Sequence, residues 1–105
     1  MITVNVYRDE NGKINDVFVS GHSGYDENGK DIVCSAVSTA VLLTASLIEK
    51  ICPKYSFVTD EKKVTMTLKL LESNEVSNIV IENLVDFLES LKENYTKYIK
   101  IKYIK

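Results

Sequence analysis

The sequence predicts an α+β fold: a mainly antiparallel sheet packed by two helices, with elements in the order ββαββαβ. Five short segments show the alternation of apolar and polar residues that is typical of half-buried strands. Two longer segments carry apolar residues at helical spacing, and polar turns join successive strands as hairpins. Because no linker-like tract interrupts the 105 residues, we expect residues 1–105 to form one domain.

The chain is predicted to begin with a β-hairpin whose strands cover residues 2–8 and 14–20. Apolar residues occupy alternate positions in the first strand, and the dipeptide Asn11-Gly12 is a strong hairpin signal between the two. Residues 21–30 then contain three glycines and show no periodicity. They indicate a loop that is longer than a simple connection requires.

A long helix is predicted from Asp31 to Ile51. Aspartate is a favourable N-cap residue, and Pro53 ends the helix because the residue before a proline is pushed out of the helical conformation. The apolar stripe expected to face the core consists of Val33, Val37, Ala40, Val41, Thr44, Leu47, Ile48 and Ile51.

The second half of the chain is predicted to hold three strands and one helix. Strands at 54–59 and 63–71 form a second hairpin, a helix covers 75–95 with Asn74 as its cap, and a last strand covers 98–104. The core face of this helix is expected to consist of Val76, Ile79, Val80, Leu84, Phe87, Leu88 and Leu91.

Charge and composition argue against several classes of protein. The net charge is -2 and Arg8 is the only arginine, which disfavours a nucleic-acid binder. Met1 leads directly into a strand pattern without a signal-type segment, and no apolar run reaches about 18 residues, so we expect a cytoplasmic protein without membrane contact. One histidine and two distant cysteines do not provide a metal-ligand set, and no cofactor is expected.

The two cysteines are not expected to form a disulfide. Cys34 and Cys52 lie near opposite ends of the predicted helix, at a separation of about 27 Å along its axis. Bridged Cα atoms lie within about 7 Å of each other.

The segment from Gly21 to Ser38 contains the residue types that a cysteine hydrolase needs. It holds the only histidine, His22, and places Cys34 in the first turn of the predicted helix. The free N–H groups and partial positive charge of a helix N-terminus favour the thiolate, which is the nucleophile, and an imidazole nearby can act as base and proton donor. Backbone N–H groups at Cys34 and Ser35 are plausible donors to an oxyanion.

Each of these residues also has a simpler interpretation. Cys34 can be a small buried apolar residue, which its position supports equally well. A loop histidine that hydrogen-bonds a backbone carbonyl accounts for His22 when it is considered alone. Asp31 is better explained as a helix cap than as a catalytic acid, whereas Ser23 and Ser35 are weak alternative nucleophiles because neither has a base of its own.

A family resemblance favours the catalytic interpretation. The run Gly21-His22-Ser23-Gly24-Tyr25, then Gly29, then Asp31-Ile32-Val33-Cys34-Ser35-Ala36-Val37-Ser38 resembles the signature of the ribosomal-processing cysteine proteases, the Prp family. The usual pattern is Gly-His-Ala-Gly, a short loop, then Asp-Ile-Val-Cys-Ala-Ala-Val-Ser. Ser23 and Ser35 each replace a usual alanine, and neither change removes a reacting group. The likeness extends over the whole chain.

The resemblance implies roles for individual residues. Cys34 becomes the nucleophile and His22 the general base, with Asp31 and Ser38 as supporting residues. The residues themselves, rather than the resemblance, suggest Gly21, Gly24 and Ser35 for substrate binding, since glycines beside the histidine let a peptide backbone approach closely. Simple turn formation is the alternative for the glycines.

The resemblance also implies a function. Family members are homodimeric endopeptidases that remove the N-terminal extension of a large-subunit ribosomal protein, number twenty-seven of that subunit, and the loop between histidine and cysteine covers the peptide site. One alternative is a non-catalytic, ribosome-associated binding module that uses the glycine-rich loop and the helix N-terminus to hold an anion or ribosomal RNA. Another is a small structural or interaction domain in which Cys34 and His22 are incidental.

Overall fold

The predicted order of elements is the observed one. The computed structural model describes residues 1–22, 24–26 and 31–105. The elements are β1 (Ile2–Arg8), β2 (Ile14–Ser20), α1 (Ile32–Ile51), β3 (Lys54–Asp60), β4 (Thr65–Glu72), α2 (Glu75–Asn94) and β5 (Ile99–Ile104). Observed and predicted boundaries agree within two residues at every end, because caps, turns and Pro53 mark the ends locally.

The five strands form one mixed sheet in the order β3-β4-β2-β1-β5. The pairs β1–β2, β2–β4 and β3–β4 are antiparallel, and only β1–β5 is parallel. The parallel pair arises because α2 carries the chain from the end of β4 back across the sheet, so β5 starts in the direction of β4 and β1. The sheet is therefore mainly antiparallel, as predicted.

One face of the sheet carries the core. The register places Val4 beside Val19 and Ile101, and Val17 beside Leu68, so the apolar residues of neighbouring strands share a face. Side chains from α1 and α2 complete the same buried cluster. On α1 the buried residues are Val33, Val37, Val41, Ala45 and Ile48. The fold is a two-layer arrangement of helices on a sheet, an α+β fold.

The predicted core face of α2 was partly wrong. Val76, Ile79 and Phe87 are exposed, whereas the buried residues are Ser77, Ile81, Leu84, Val85 and Leu88. The capping box turns the helix: the backbone N–H of Ser77 donates to Asn74 Oδ1 at 2.8 Å, and the backbone N–H of Asn74 donates to Ser77 Oγ at 2.8 Å. A fully buried Ser77 puts positions four, seven, eight and eleven residues later toward the core.

The predicted stripe of α1 needs a smaller correction. Leu47 is exposed, and Ala45 takes the core position instead. The expectation that no apolar run is long enough for a membrane span meets one exception: among the described residues, α1 is the one helix that could cross a membrane by length and composition. A helix with one face in a protein core meets the same criterion, and five residues of α1 are buried in the core.

A polar network ties the parallel edge of the sheet to α2. Arg8 Nη1 donates to Glu82 Oε1 at 2.7 Å, and the Arg8 guanidinium lies 5.9 Å from the centre of the Tyr103 ring. Tyr103 in turn donates its hydroxyl proton to Glu89 Oε2 at 2.9 Å. The Arg8–Glu82 pair is partly exposed, so its own contribution to stability is at most about 1 kcal/mol.

This network makes stability depend on pH in the alkaline range. Partial burial, followed by the hydrogen bond to Glu89 and its negative charge, raises the pKa of Tyr103 to about 12 from 10.0. The folded protein thus holds this proton more tightly than the unfolded chain, so the contribution is complete below pH 10.0 and is lost as pH rises through about 12. We expect the free energy of unfolding in urea to fall more steeply across this window in the wild type than in Tyr103→Phe. Parallel pH profiles for the two proteins would contradict this assignment.

Candidate active site

Asp31 fixes the start of the helix that carries Cys34. Its Oδ1 accepts hydrogen bonds from the backbone N–H groups of Val33 and Cys34, both at 3.0 Å, and the residue is only 7% exposed. The prediction of Asp31 as N-cap is therefore confirmed. A cap of this kind stabilises a helix by about 1 kcal/mol. Cys34 follows as the third residue of α1 and is half-buried.

The capping geometry corrects one expectation about the oxyanion donors. The Cys34 N–H donates to Asp31 Oδ1, and the Ser35 N–H donates to the Asp31 carbonyl at 3.0 Å. Both groups proposed as free donors are already used within the helix start. The Asp31 carboxylate also offsets part of the positive end of the helix dipole that the sequence argument relied on.

Gly21 places His22 at the end of β2 through a close backbone approach. Its φ is +91°, and a Cβ atom there would lie 2.5 Å from the carbonyl oxygen of Met1. The Gly21 N–H donates to the carbonyl of Val64 at 3.1 Å. Only glycine fits this position. The left-handed backbone conformation disfavours any side chain, and a Cβ atom would clash with the carbonyl oxygen of Met1. His22 thus follows a residue that is fixed on two sides.

The partner of Gly21 is itself in an unusual conformation. Val64 has φ +55°, the one non-glycine residue with positive φ among those described. A β-branched residue in this region is strained by about 1–3 kcal/mol. The strained turn between β3 and β4 directs the Val64 carbonyl to the chain segment that presents His22.

Two neighbouring cavities meet at the predicted catalytic residues. The first, of about 550 Å³, is lined by His22, Gly24, Asp26, Asp31, Cys34, Ser35, Ser38 and Thr39. The second, of about 700 Å³, is lined partly by Gly21, His22, Cys34 and Ser38. All seven residues that the sequence singled out therefore line one or both cavities, and His22, Cys34 and Ser38 line both.

The second cavity also contains residues that the sequence did not indicate. Leu42 comes from α1 and Met66 from β4, whereas Asp60, Glu61 and Val64 come from the end of β3 and the following turn. Leu42 lies one and two turns beyond Ser38 and Cys34, so helical spacing could have suggested it. No local sequence pattern could have indicated that the β3–β4 turn borders this cavity, because only the pairing of strands in the sheet brings the turn next to α1.

Cys52 lies at the other end of α1 and is buried. Its thiol lies 3.1 Å from the carbonyl oxygen of Glu72 and 3.4 Å from that of Lys54, as a donor to both. These contacts join the helix end to β3 and β4, so Cys52 has a structural role. Cys34 and Cys52 do not form a disulfide.

Several residues of the predicted loop fall outside the description. Ser23 and residues 27–30, which include Gly29 of the motif, are not among the described residues, so the structure does not test Ser23 as an alternative nucleophile. Of the loop's described residues, His22, Gly24 and Asp26 line the first cavity. Among the described residues no group of three or more histidine, cysteine or carboxylate side chains has the arrangement of a metal site.

Comparison with known proteins identifies the family. The family model for cysteine protease Prp matches residues 1–100. This chain belongs to the Prp family of cysteine proteases. It is a cysteine protease, and the arrangement around Cys34 and His22 is the candidate site of that activity.

Relatives of known structure share the whole fold. The ribosomal processing cysteine protease Prp of Staphylococcus aureus is 24% identical over 105 residues, which span 98% of this chain and 99% of the relative. Its crystal structure with a covalently linked product peptide has a TM-score of 0.92 at 24% identity, over 98% of this chain and 99% of that one. SMU.848 from Streptococcus mutans has a TM-score of 0.86 at 28% identity, over 99% and 94% of the two chains.

The close approach at Gly21 predicts a large effect of adding one methyl group. We expect Gly21→Ala to lower the free energy of unfolding by about 3 kcal/mol or more, because backbone strain is combined with a clash against Met1. Gly12→Ala is the matched control: Gly12 also has positive φ, at +81°, but no atom lies within 4 Å of its Cβ position. That variant should lose only about 1 kcal/mol. Similar losses in chemical denaturation of the two variants would contradict the proposed constraint.

Proposed function

We propose that this chain is an endopeptidase that removes the N-terminal extension of a large-subunit ribosomal protein, number twenty-seven, during ribosome maturation. The observation that carries the proposal is that Cys34 and His22 line the same two cavities at the start of α1, in a chain of the Prp family. The relatives from Staphylococcus aureus are named ribosomal processing proteases, and crystal structures of that protein hold a substrate peptide or a linked product peptide.

Of the two cysteines, Cys34 has the surroundings of a nucleophile. It is half-buried and lines both cavities, whereas Cys52 is 8% exposed and uses its thiol in hydrogen bonds to backbone carbonyls. A thiol must reach a peptide carbonyl to react, and only Cys34 has open space in front of it.

The proposed reaction divides into two steps. His22 accepts the proton of the Cys34 thiol, and the sulfur attacks the carbonyl carbon of the scissile bond to give a tetrahedral oxyanion. The C–N bond then breaks as His22 returns the proton to the leaving amine, which leaves an acyl group on Cys34. Water, deprotonated by His22, attacks this thioester; the C–S bond breaks and the thiol is restored.

Side chains beside Cys34 have supporting roles in this scheme. Asp31 positions Cys34 because it caps the first turn of α1. The N–H groups of Cys34 and Ser35 already donate to Asp31, so we assign stabilisation of the oxyanion to other donors. The Ser38 hydroxyl is our candidate, because Ser38 lines both cavities and lies one helical turn from Cys34. The glycines at 21 and 24 and Ser35 border the path of the peptide.

The two cavities offer chemically different surroundings to the two sides of a peptide. Leu42 and Met66 give the second cavity an apolar wall, and Asp60 and Glu61 add acidic groups to it. Apart from His22 and Cys34, the first cavity is lined by Asp26 and Asp31 and by small hydroxyl residues and glycine. A peptide that crosses Cys34 from one cavity to the other would meet apolar and acidic surfaces, which suits an apolar segment next to a basic one.

Cleavage of the ribosomal-protein precursor tests the function. Purified wild type should cut a peptide that spans the processing site at one bond, whereas Cys34→Ala and His22→Ala should lose at least about a thousandfold in kcat/KM, the scale of removing a nucleophile or its base. Cys52→Ala is the matched control and should cleave normally if it remains folded, since Cys52 lies at the other end of α1.

The outcomes separate the candidate functions. Cleavage activity that survives Cys34→Ala would rule out Cys34 as the nucleophile. A wild type that leaves both the peptide and the full precursor intact, but binds either one, would favour the non-catalytic binding module. Iodoacetamide should modify Cys34 much faster than Cys52 in the wild type.

We further propose that the chain acts as a cytoplasmic homodimer. Support comes from an apolar groove of about 550 Å³ between the outer sides of α1 and α2, where Ile32, Leu43 and Phe87 are 54%, 70% and 45% exposed. Large apolar side chains that share one exposed groove are typical of protein–protein contacts. We propose that the occupant of this groove is a second copy of the chain.

Light scattering after gel filtration tests the dimer. The wild type should have about twice the 11.9 kDa mass of one chain, and Leu43→Glu should shift it to the monomer, since a buried charge opposes association. Leu71→Glu is the control, because Leu71 is 54% exposed on β4, outside the groove. A monomeric wild type would overturn the proposal, and dissociation by Leu71→Glu instead would move the interface to the sheet.

A further inference from the structure

Three tyrosines meet beside the first cavity. The ring of Tyr25 lies edge-on to Tyr95, with centroids 5.6 Å apart and an interplanar angle of 88°. It also lies edge-on to Tyr98, at 5.2 Å and 79°. Both distances and both angles fall in the range that is favourable for aromatic pairs, and each such contact adds to the burial of apolar surface.

Tyr95 and Tyr98 provide a rigid base for this contact. Tyr95 ends α2, where its N–H donates to the carbonyls of Leu91 and Lys92. The Tyr98 N–H donates to the Tyr95 carbonyl at 2.9 Å, and the Tyr98 carbonyl accepts from the N–H of Ile2 at 2.9 Å. Both rings are partly buried against the core. The turn is therefore held by the end of α2 and the start of β1 together.

Tyr25 is connected through the backbone to the wall of the cavity that contains Cys34. Its two chain neighbours, Gly24 and Asp26, line that cavity, whereas the Tyr25 ring points to the turn at Tyr95 and Tyr98. A contact that holds Tyr25 thus also holds the backbone of the two residues that border the cavity. Fixing this wall before a peptide arrives reduces the ordering cost of binding.

The two reacting side chains have anchors of their own. His22 follows Gly21, which is held by the Val64 carbonyl, and Cys34 is held by the Asp31 cap. Neither contact involves the tyrosines. Loss of the aromatic contacts should therefore affect the peptide-binding wall more than the arrangement of the nucleophile and base.

We propose that Tyr25, Tyr95 and Tyr98 form an aromatic anchor that positions residues 24–26 as one wall of the peptide site. Tyr25 is a positioning residue, and its effect appears in the affinity for peptide. This inference rests on the proposed function, because it requires that the peptide occupies the cavity beside Cys34.

Steady-state cleavage of the precursor peptide is the first test. Tyr25→Ala should raise KM by about tenfold, the factor expected when two edge-to-face contacts no longer pre-order the wall, and should leave kcat within about twofold. Tyr25→Phe should restore most of the affinity because it keeps the ring. Tyr103→Leu is the control, since it removes a partly exposed tyrosine ring remote from the cavity and should leave KM unchanged.

A combined variant tests whether the three rings act together. Tyr95→Leu/Tyr98→Leu should reproduce the KM of Tyr25→Ala, and all three changes together should add little further, because the same contact has already been lost. Additive effects would show that the tyrosines act separately. A fall in kcat with unchanged KM in Tyr25→Ala would also overturn the proposal, since it would place Tyr25 among the groups that order the reacting atoms.

Hydrogen exchange and thiol labelling separate this inference from the proposed function. In Tyr25→Ala the amides of residues 24–26 should exchange at least about tenfold faster, with α1 and the rate of Cys34 alkylation unchanged. If exchange changes in this way but the wild type cuts no ribosomal peptide, the anchor is confirmed as a structural element and its role in peptide binding is refuted. A wild type that cleaves the peptide, with unchanged KM and exchange in Tyr25→Ala, would refute the anchor alone.

Discussion

The hydrogen bonds that the Asp31 carboxylate accepts from the first turn of α1 are the constraint on which the Cys34 half of the site depends. They determine where the helix begins, and this decides that Cys34 lies at its third position, half-buried at the mouth of two cavities. They also engage the Cys34 N–H. The same interaction that positions Cys34, the proposed nucleophile, therefore occupies the backbone N–H group nearest to it, which leaves the hydroxyl groups farther along α1 as the proposed oxyanion donors.

The other half of the site depends on the strained turn between β3 and β4. Val64 adopts a conformation that is unfavourable for a β-branched residue, and its carbonyl receives the N–H of Gly21. Strain of this kind persists only where surrounding contacts maintain it. Here the pairing of β4 with β3 and β2 maintains the strain. The sheet, rather than the loop itself, therefore determines the position of His22.

Three unlike interactions act on described residues of the segment between β2 and α1. A backbone hydrogen bond holds Gly21, aromatic contacts hold Tyr25, and a buried carboxylate holds the start of α1. Ordering these residues costs conformational entropy, and the three interactions offset that cost. Each interaction acts on a different part of the site. The histidine, the cavity wall and the cysteine are therefore each positioned by an interaction of their own.

The sequence by itself determined the elements, their boundaries and the seven candidate residues, because strand alternation, helix caps, Pro53 and the Gly-His and Asp-Ile-Val-Cys motifs are local signals. It did not determine which side of α2 faces the core, since that helix has apolar residues on several sides and the capping box with buried Ser77 fixes its rotation. Nor did it indicate the walls supplied by Thr39, Met66 and the β3–β4 turn, or the contact of Tyr25 with Tyr95 and Tyr98. Those residues are distant in the chain or unremarkable in pattern, and only the packing of the helices and loops against the sheet brings them to the site.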